Sequence, residues 1–81
     1  MVTARKINVE ELSITSLNIE GDLLVASISD GRIVSIPIAW FPKLLKSNPS
    51  DLNNFEISPS GYGIHWPDID EDISIKAFIN P

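Results

Sequence analysis

The residues with the greatest chemical potential stand close together. His65, the only histidine, is followed by Asp68, Asp70, Glu71 and Asp72. An imidazole beside several carboxylates is the donor set of a zinc, manganese or magnesium site. Asp68, Asp70 and Asp72 also reproduce the opening ligand positions of a calcium-binding loop, but Ile73 stands where that loop needs glycine and Ile79 where it needs a bidentate glutamate. A lone histidine cannot supply the several imidazoles common in catalytic zinc sites. His65, Asp68, Asp70 and Asp72 are metal candidates by residue type, while their spacing suits helix capping and surface charge better.

Other chemistries find less support. A carboxylate acting as acid or base needs an apolar pocket that raises its pKa; Trp66 could supply a wall for one, but four neighbouring acids are more simply a solvated cap. Serine catalysis would have to use His65, and no G-x-S-x-G turn is present. Gly61-Tyr62-Gly63 precedes a strand pattern and lacks the glycine and lysine spacing of a phosphate loop. The chain has no cysteine, which removes disulfides, thiolate zinc sites and thiol nucleophiles together. The expectation is a protein that is not an enzyme and takes no cofactor.

The elements that must position these residues follow from turn chemistry and periodicity. Leu17 and Ile19 alternate before the turn cluster Glu20-Gly21-Asp22, and Leu23 to Ile28 forms the next apolar run. Asp30-Gly31, a strong hairpin signal, leads into Arg32 to Ile38. A two-residue loop there pairs Ser27 with Val34, Val25 with Ile36 and Leu23 with Ile38, which makes that face the core. Leu24, Ala26, Ile28 and Ile33 then lie on the opposite face.

Trp40, Phe41, Leu44 and Leu45 recur at helical spacing, so a short helix is expected from about Ala39 to Lys46. Asn48-Pro49 reads as a cap and first helical residue of a second one, with Leu52 and Phe55 inward. Phe55, Ile57 and Pro59 alternate as a strand that turns at Ser60-Gly61 and returns through Ile64 to Trp66, with His65 on the other face. Pro67 ends that strand. The acids Asp68 to Asp72 before Ile73 favour a terminal helix, although the alternation of Ile73, Ile75, Ala77 and Ile79 leaves a terminal strand open. The predicted fold is α+β in two layers: a small, mostly antiparallel sheet built from a β-meander, short helices, a β-hairpin and a C-terminal helix. Residues 1–81 read as a single domain, with 1–12 a frayed segment or an edge strand.

Two stretches, DGRIVSIPIAWFPKLL and GYGIHWPDIDEDISI, carry a more specific signal. With them the chain resembles, from about Ile14 to Ile79, the small bacterial family catalogued as domain of unknown function 2442. The resemblance implies a compact α+β domain with no established activity, often encoded beside another small protein in a toxin-antitoxin-like arrangement. Some relatives carry a helix-turn-helix DNA-binding domain after this one. The sequence ends at Pro81, and no DNA role is carried over from them.

Eleven acidic residues against six basic ones give a formal charge of −5, which opposes autonomous binding to nucleic acid or anionic lipid and suits a basic protein partner. No signal peptide or membrane-spanning run is evident, so a cytoplasmic location is expected. The interaction candidates are Trp40 and Tyr62 as rim aromatics and Asp68, Asp70, Glu71 and Asp72 as an acidic surface. Leu24, Ile28 and Ile33, as an apolar second sheet face, imply a homodimer. Phe41 and Trp66 are expected in the core.

Overall fold

Strands β1 (Ile14–Glu20), β2 (Leu23–Ile28) and β3 (Ile33–Pro37) form an antiparallel meander in that order in the computed structural model, which describes residues 12–79. The reading of residues 1–12 as a frayed segment or edge strand falls outside the described residues for 1–11. Gly21-Asp22 closes the first hairpin, with Glu20 opposite Leu23.

The second hairpin differs from the expected one by a single residue. Its loop is Ser29-Asp30-Gly31: the Gly31 N–H donates to the Ile28 carbonyl at 2.9 Å, and the Ile28 N–H donates to the Arg32 carbonyl at 2.9 Å. Gly31 sits at φ 99°, so the loop is a tight turn followed by a left-handed residue, the usual three-residue alternative to a two-residue Asp-Gly turn. The extra loop residue shifts the register. Ser27 now faces Ile33, Val25 faces Ser35 and Leu23 faces Pro37, while Leu24 faces Ile36 and Ala26 faces Val34. Because side chains alternate, a slip of one turns β2 over relative to β3. Leu24, Ala26 and Ile28 are buried in the core with Ile36, and Val25 and Leu23 face outward. The apolar second face inferred from Leu24, Ala26, Ile28 and Ile33 therefore does not exist, and only Ile33 of that set is exposed.

Arg32 anchors the loop by donating from its backbone N–H and from Nε to the Asp30 carboxylate, at 3.2 and 2.9 Å. Desolvation pushes the Asp30 carboxyl up, but these hydrogen bonds and the guanidinium charge together outweigh it and hold the group below its ordinary value.

The expected helix over Ala39 to Lys46 is split. A 3-10 turn spans Ile38–Trp40, and α1 covers Pro42–Leu45 with Pro42 at its first position. Phe41 between them is extended, at φ −123° and ψ 93°, because the proline ring disfavours the helical region for the residue before it. Helix α2 (Pro49–Leu52) starts as anticipated, with Asn48 Oδ1 accepting from the Asp51 N–H at 2.8 Å.

Strands β4 (Glu56–Ile57), β5 (Gly63–Trp66) and β6 (Glu71–Ser74) form a second antiparallel sheet in that order. Here the terminal helix is present but starts later than the acids suggest, and the strand alternative holds for the residues before it. Pro67 to Asp70 is a hairpin turn, with Asp70 in the left-handed region at φ 56°, and Trp66 pairs with Glu71 across it. Glu71–Ser74 is strand, and helix α3 is confined to Lys76–Ile79. Cross-strand packing accounts for the difference: Ile73 lies opposite Ile64, and both are buried, which contributes more than a cap on exposed acids. Among the described residues the protein is thus a small α+β fold with two three-stranded antiparallel sheets and short helices, including one towards the C-terminal end.

Buried side chains of both sheets, with Leu44 of α1 and Phe78 of α3, form one core cluster. The sheets are also joined by backbone, since the Ile14 N–H donates to the Gly61 carbonyl at 2.6 Å. Gly61 is buried at φ 73°, and a Cβ there would meet Ser13 Cβ at 2.5 Å and the Ile14 carbonyl oxygen at 2.8 Å. Gly21 is also left-handed, but a Cβ on it would meet nothing within 4 Å. Left-handed strain alone costs about 1–2 kcal/mol for a residue with a Cβ. Gly61→Ala is therefore expected to lower the urea midpoint clearly more than Gly21→Ala does. Equal effects would mean the close approach between Gly61 and β1 carries no stability.

Candidate functional site

The outward face of the second sheet gathers the chemistry of the chain. Along β5 the side chains alternate, so Ile64 and Trp66 enter the core while His65 points out. His65 lies opposite Glu56 of β4 and opposite Asp72 of β6. The register thus sets one imidazole between two carboxylate-bearing positions. His65 Nδ1 is 2.6 Å from Asp72 Oδ1, with 42% of the imidazole and 78% of the carboxylate side chain exposed. An ionised carboxylate only accepts, so Nδ1 carries the proton in this contact and Nε2 is left to a ligand or solvent.

Beside this pair runs a groove of about 390 Å³, lined by Ser58, Tyr62, Gly63, His65, Asp72 and Ser74 and floored by Ile64 and Ile73. Ser58 shapes one end: its Oγ accepts from the N–H groups of Tyr62 and Gly63 at 3.1 and 3.2 Å, which holds the turn before β5. Tyr62 is 64% exposed at this rim. A second depression on the other side of His65 is lined by Glu56, Ile57, Ser58 and Pro59.

The remaining acids are held by separate neighbours. Asp68 Oδ2 accepts from Asn54 Nδ2 at 2.6 Å, the Asp70 backbone carbonyl accepts from Lys43 Nζ at 3.2 Å, and Glu71 Oε1 accepts from the Asp72 N–H at 3.1 Å. They sit on a hairpin turn and the start of a strand, not on a helix N-terminus. Among the described residues, no three or more His, Asp or Glu side chains converge so as to hold a metal ion. Of the metal candidates, the structure joins His65 to Asp72 and places Asp68 and Asp70 elsewhere.

The interaction candidates divide likewise. Tyr62 and Asp72 meet at the groove, and Asp68, Asp70 and Glu71 surround the turn next to it. Trp40 is 53% exposed on the 3-10 turn, and Ile33 is 69% exposed on β3. Leu24 and Ile28 are core residues and offer no surface. Phe41 is half-buried, and Trp66 is fully buried with its indole N–H donating to the Leu52 carbonyl at 2.8 Å. Glu56 and Ser58 were not singled out from the sequence. Inward alternation of Phe55 and Ile57 already places Glu56 outward, and its pairing with His65 needed only the register of the hairpin around Gly61.

With this geometry in hand, comparison with known proteins places the chain. The family model described as protein of unknown function (DUF2442) matches residues 14–81. The chain belongs to that family. No curated protein and no solved structure matches it. DUF2442 membership confirms the resemblance carried by the two sequence stretches, and it brings no assigned activity with it. Among the described residues, no helix is long and apolar enough to cross a membrane.

Proposed function

We propose that this domain is a non-enzymatic protein-binding module, the antitoxin-like partner of a small basic protein encoded by a neighbouring gene. The observation that carries it is the exposed Tyr62 ring on a groove whose other wall is the His65–Asp72 pair. A largely exposed aromatic next to a carboxylate that stays 78% exposed is the surface a basic side chain docks on. Asp68, Asp70 and Glu71 extend the negative field along the adjoining turn, in a chain whose formal charge is −5. Such a field speeds encounter with a basic partner and repels nucleic acid and anionic lipid. The cytoplasm is the compartment we assign to this exchange.

The test is co-expression with the neighbouring gene product, followed by titration of the purified pair. Tyr62→Ala is expected to weaken binding by about tenfold or more, the effect of truncating an anchor aromatic. Asp72→Asn should mainly slow association and flatten the salt dependence. Separate elution of the two proteins at micromolar concentration, or a Tyr62→Ala variant that binds like the parent, would sink the reading.

A further inference from the structure

We propose that β3 is a dimerisation edge, along which two copies of this chain pair antiparallel to make one continuous sheet. The ladder itself shows which backbone groups are available. At its two ends the Ile28 N–H donates to the Arg32 carbonyl and the Ile38 N–H donates to the Asp22 carbonyl, each at 2.9 Å. Antiparallel pairs alternate between hydrogen-bonded and non-hydrogen-bonded, so the pairs Ala26 with Val34 and Leu24 with Ile36 are bonded between those ends. The backbone groups of Ile33, Ser35 and Pro37 therefore point away from β2. Among the described residues β3 pairs with β2 alone, and no other element bonds to those three residues.

The other edges carry a bulge, a very short strand or charged residues, whereas β3, near which α3 also packs, carries no charge. β1 carries an irregularity at Thr15, β4 is two residues long, and β6 bears Glu71 and Asp72. β3 reads Ile-Val-Ser-Ile-Pro, without a charge, in a chain otherwise rich in acids. Its outward groups are also self-complementary. A two-fold axis at Ser35 sets Ser35 against Ser35 and Ile33 of one protomer against Pro37 of its partner. The two Ser35 residues then exchange a pair of hydrogen bonds, and each Ile33 N–H reaches a Pro37 carbonyl. Proline, which lacks the N–H, stands at the outer positions, where only its carbonyl is used.

The side chains follow the same register. Within one chain Leu23 lies beside Pro37 on the outward face. Adding the second copy brings its Ile33 into that row, so that two of the exposed large hydrophobics, Leu23 at 37% and Ile33 at 69%, flank Pro37 in an apolar strip. The occupant argued for is a second copy because symmetry alone supplies this match. The proposal does not depend on the partner groove, which lies on the other sheet.

Sedimentation velocity over a concentration series tests it. The parent protein is expected to pass from single-chain to two-chain mass across the micromolar range. Ser35→Pro, which deletes the N–H at the two-fold, and Ile33→Lys, which puts a charge in the strip, should both remain at single-chain mass with an unchanged far-ultraviolet circular dichroism spectrum. If Ser35→Pro fails to fold, Ile33→Lys decides alone, since that side chain is already largely in solvent. A parent that keeps single-chain mass at high micromolar concentration overturns the proposal, as does a dimer that survives Ile33→Lys.

Discussion

Trp66→Ala is expected to leave much of the population unfolded at room temperature. The residue has 0% exposure, its indole N–H donates to the Leu52 carbonyl at 2.8 Å, and its ring meets Phe55 at 6.0 Å between centroids, tilted by 52°. It thereby ties β5 to the short helix α2 and to the segment leading into β4. Truncating a core tryptophan costs about 3–5 kcal/mol. Native domains hold only about 0.05–0.15 kcal/mol per residue, so a chain this short has little beyond that to lose. Trp66→Phe keeps most of the apolar area but strips the Leu52 carbonyl of its donor, and is expected to cost about 1–3 kcal/mol. Urea unfolding followed by circular dichroism ranks the parent and both variants. A Trp66→Ala protein with a near-parental midpoint would mean the ring is not the centre of the second sheet.

The second large effect separates two neighbouring residues on β2. Leu24→Lys should abolish the cooperative transition, whereas Val25→Lys should shift stability by about 1 kcal/mol or less. Leu24 has 0% exposure and faces Ile36 in the core; Val25 faces Ser35 on the outer side. Placing an ammonium at Leu24 removes the burial of a leucine and adds an unpaired charge with no solvent to hold it. At Val25 the long stem can lie along the sheet while its amine reaches water. A two-residue Asp30-Gly31 loop would reverse the two outcomes, so the pair of variants tests the register itself. An unfolded Val25→Lys beside a folded Leu24→Lys would restore the other face.

How much of this protein could be read from its residues is clearest where the two accounts meet. Asn48-Pro49 starts a helix because one side-chain oxygen and one fixed φ act within a single turn. Ile64 and Trp66 point inward and His65 outward because alternation is a property of the strand alone. Pro42 enters a helix only at its first position, and by keeping Phe41 extended its ring splits the helix that the apolar spacing predicts. The pattern of apolar runs and turn residues likewise sufficed for the α+β class, and the stretches around Gly61 to Ile75 for the family.

What sequence alone determined about this protein was local: turn positions, the inward residues of β5, the cap at Asn48, the charge balance and the family. Tertiary structure decided the rest, because its answers depend on energies that come from distant partners. Two loop lengths satisfy Asp30-Gly31 almost equally well, and burial of Leu24 and Ala26 against the rest of the core selects the longer one. The acids Asp68 to Asp72 suit a helix start, yet Ile73 gains more by lying on Ile64, which no neighbour in sequence can reveal. The same pairing brings Asp72 to His65, and the hairpin around Gly61 brings Glu56 to its other side. A site made of one residue from each of three strands exists only once the register of both hairpins is set, since a slip of one residue would send its side chains to opposite faces.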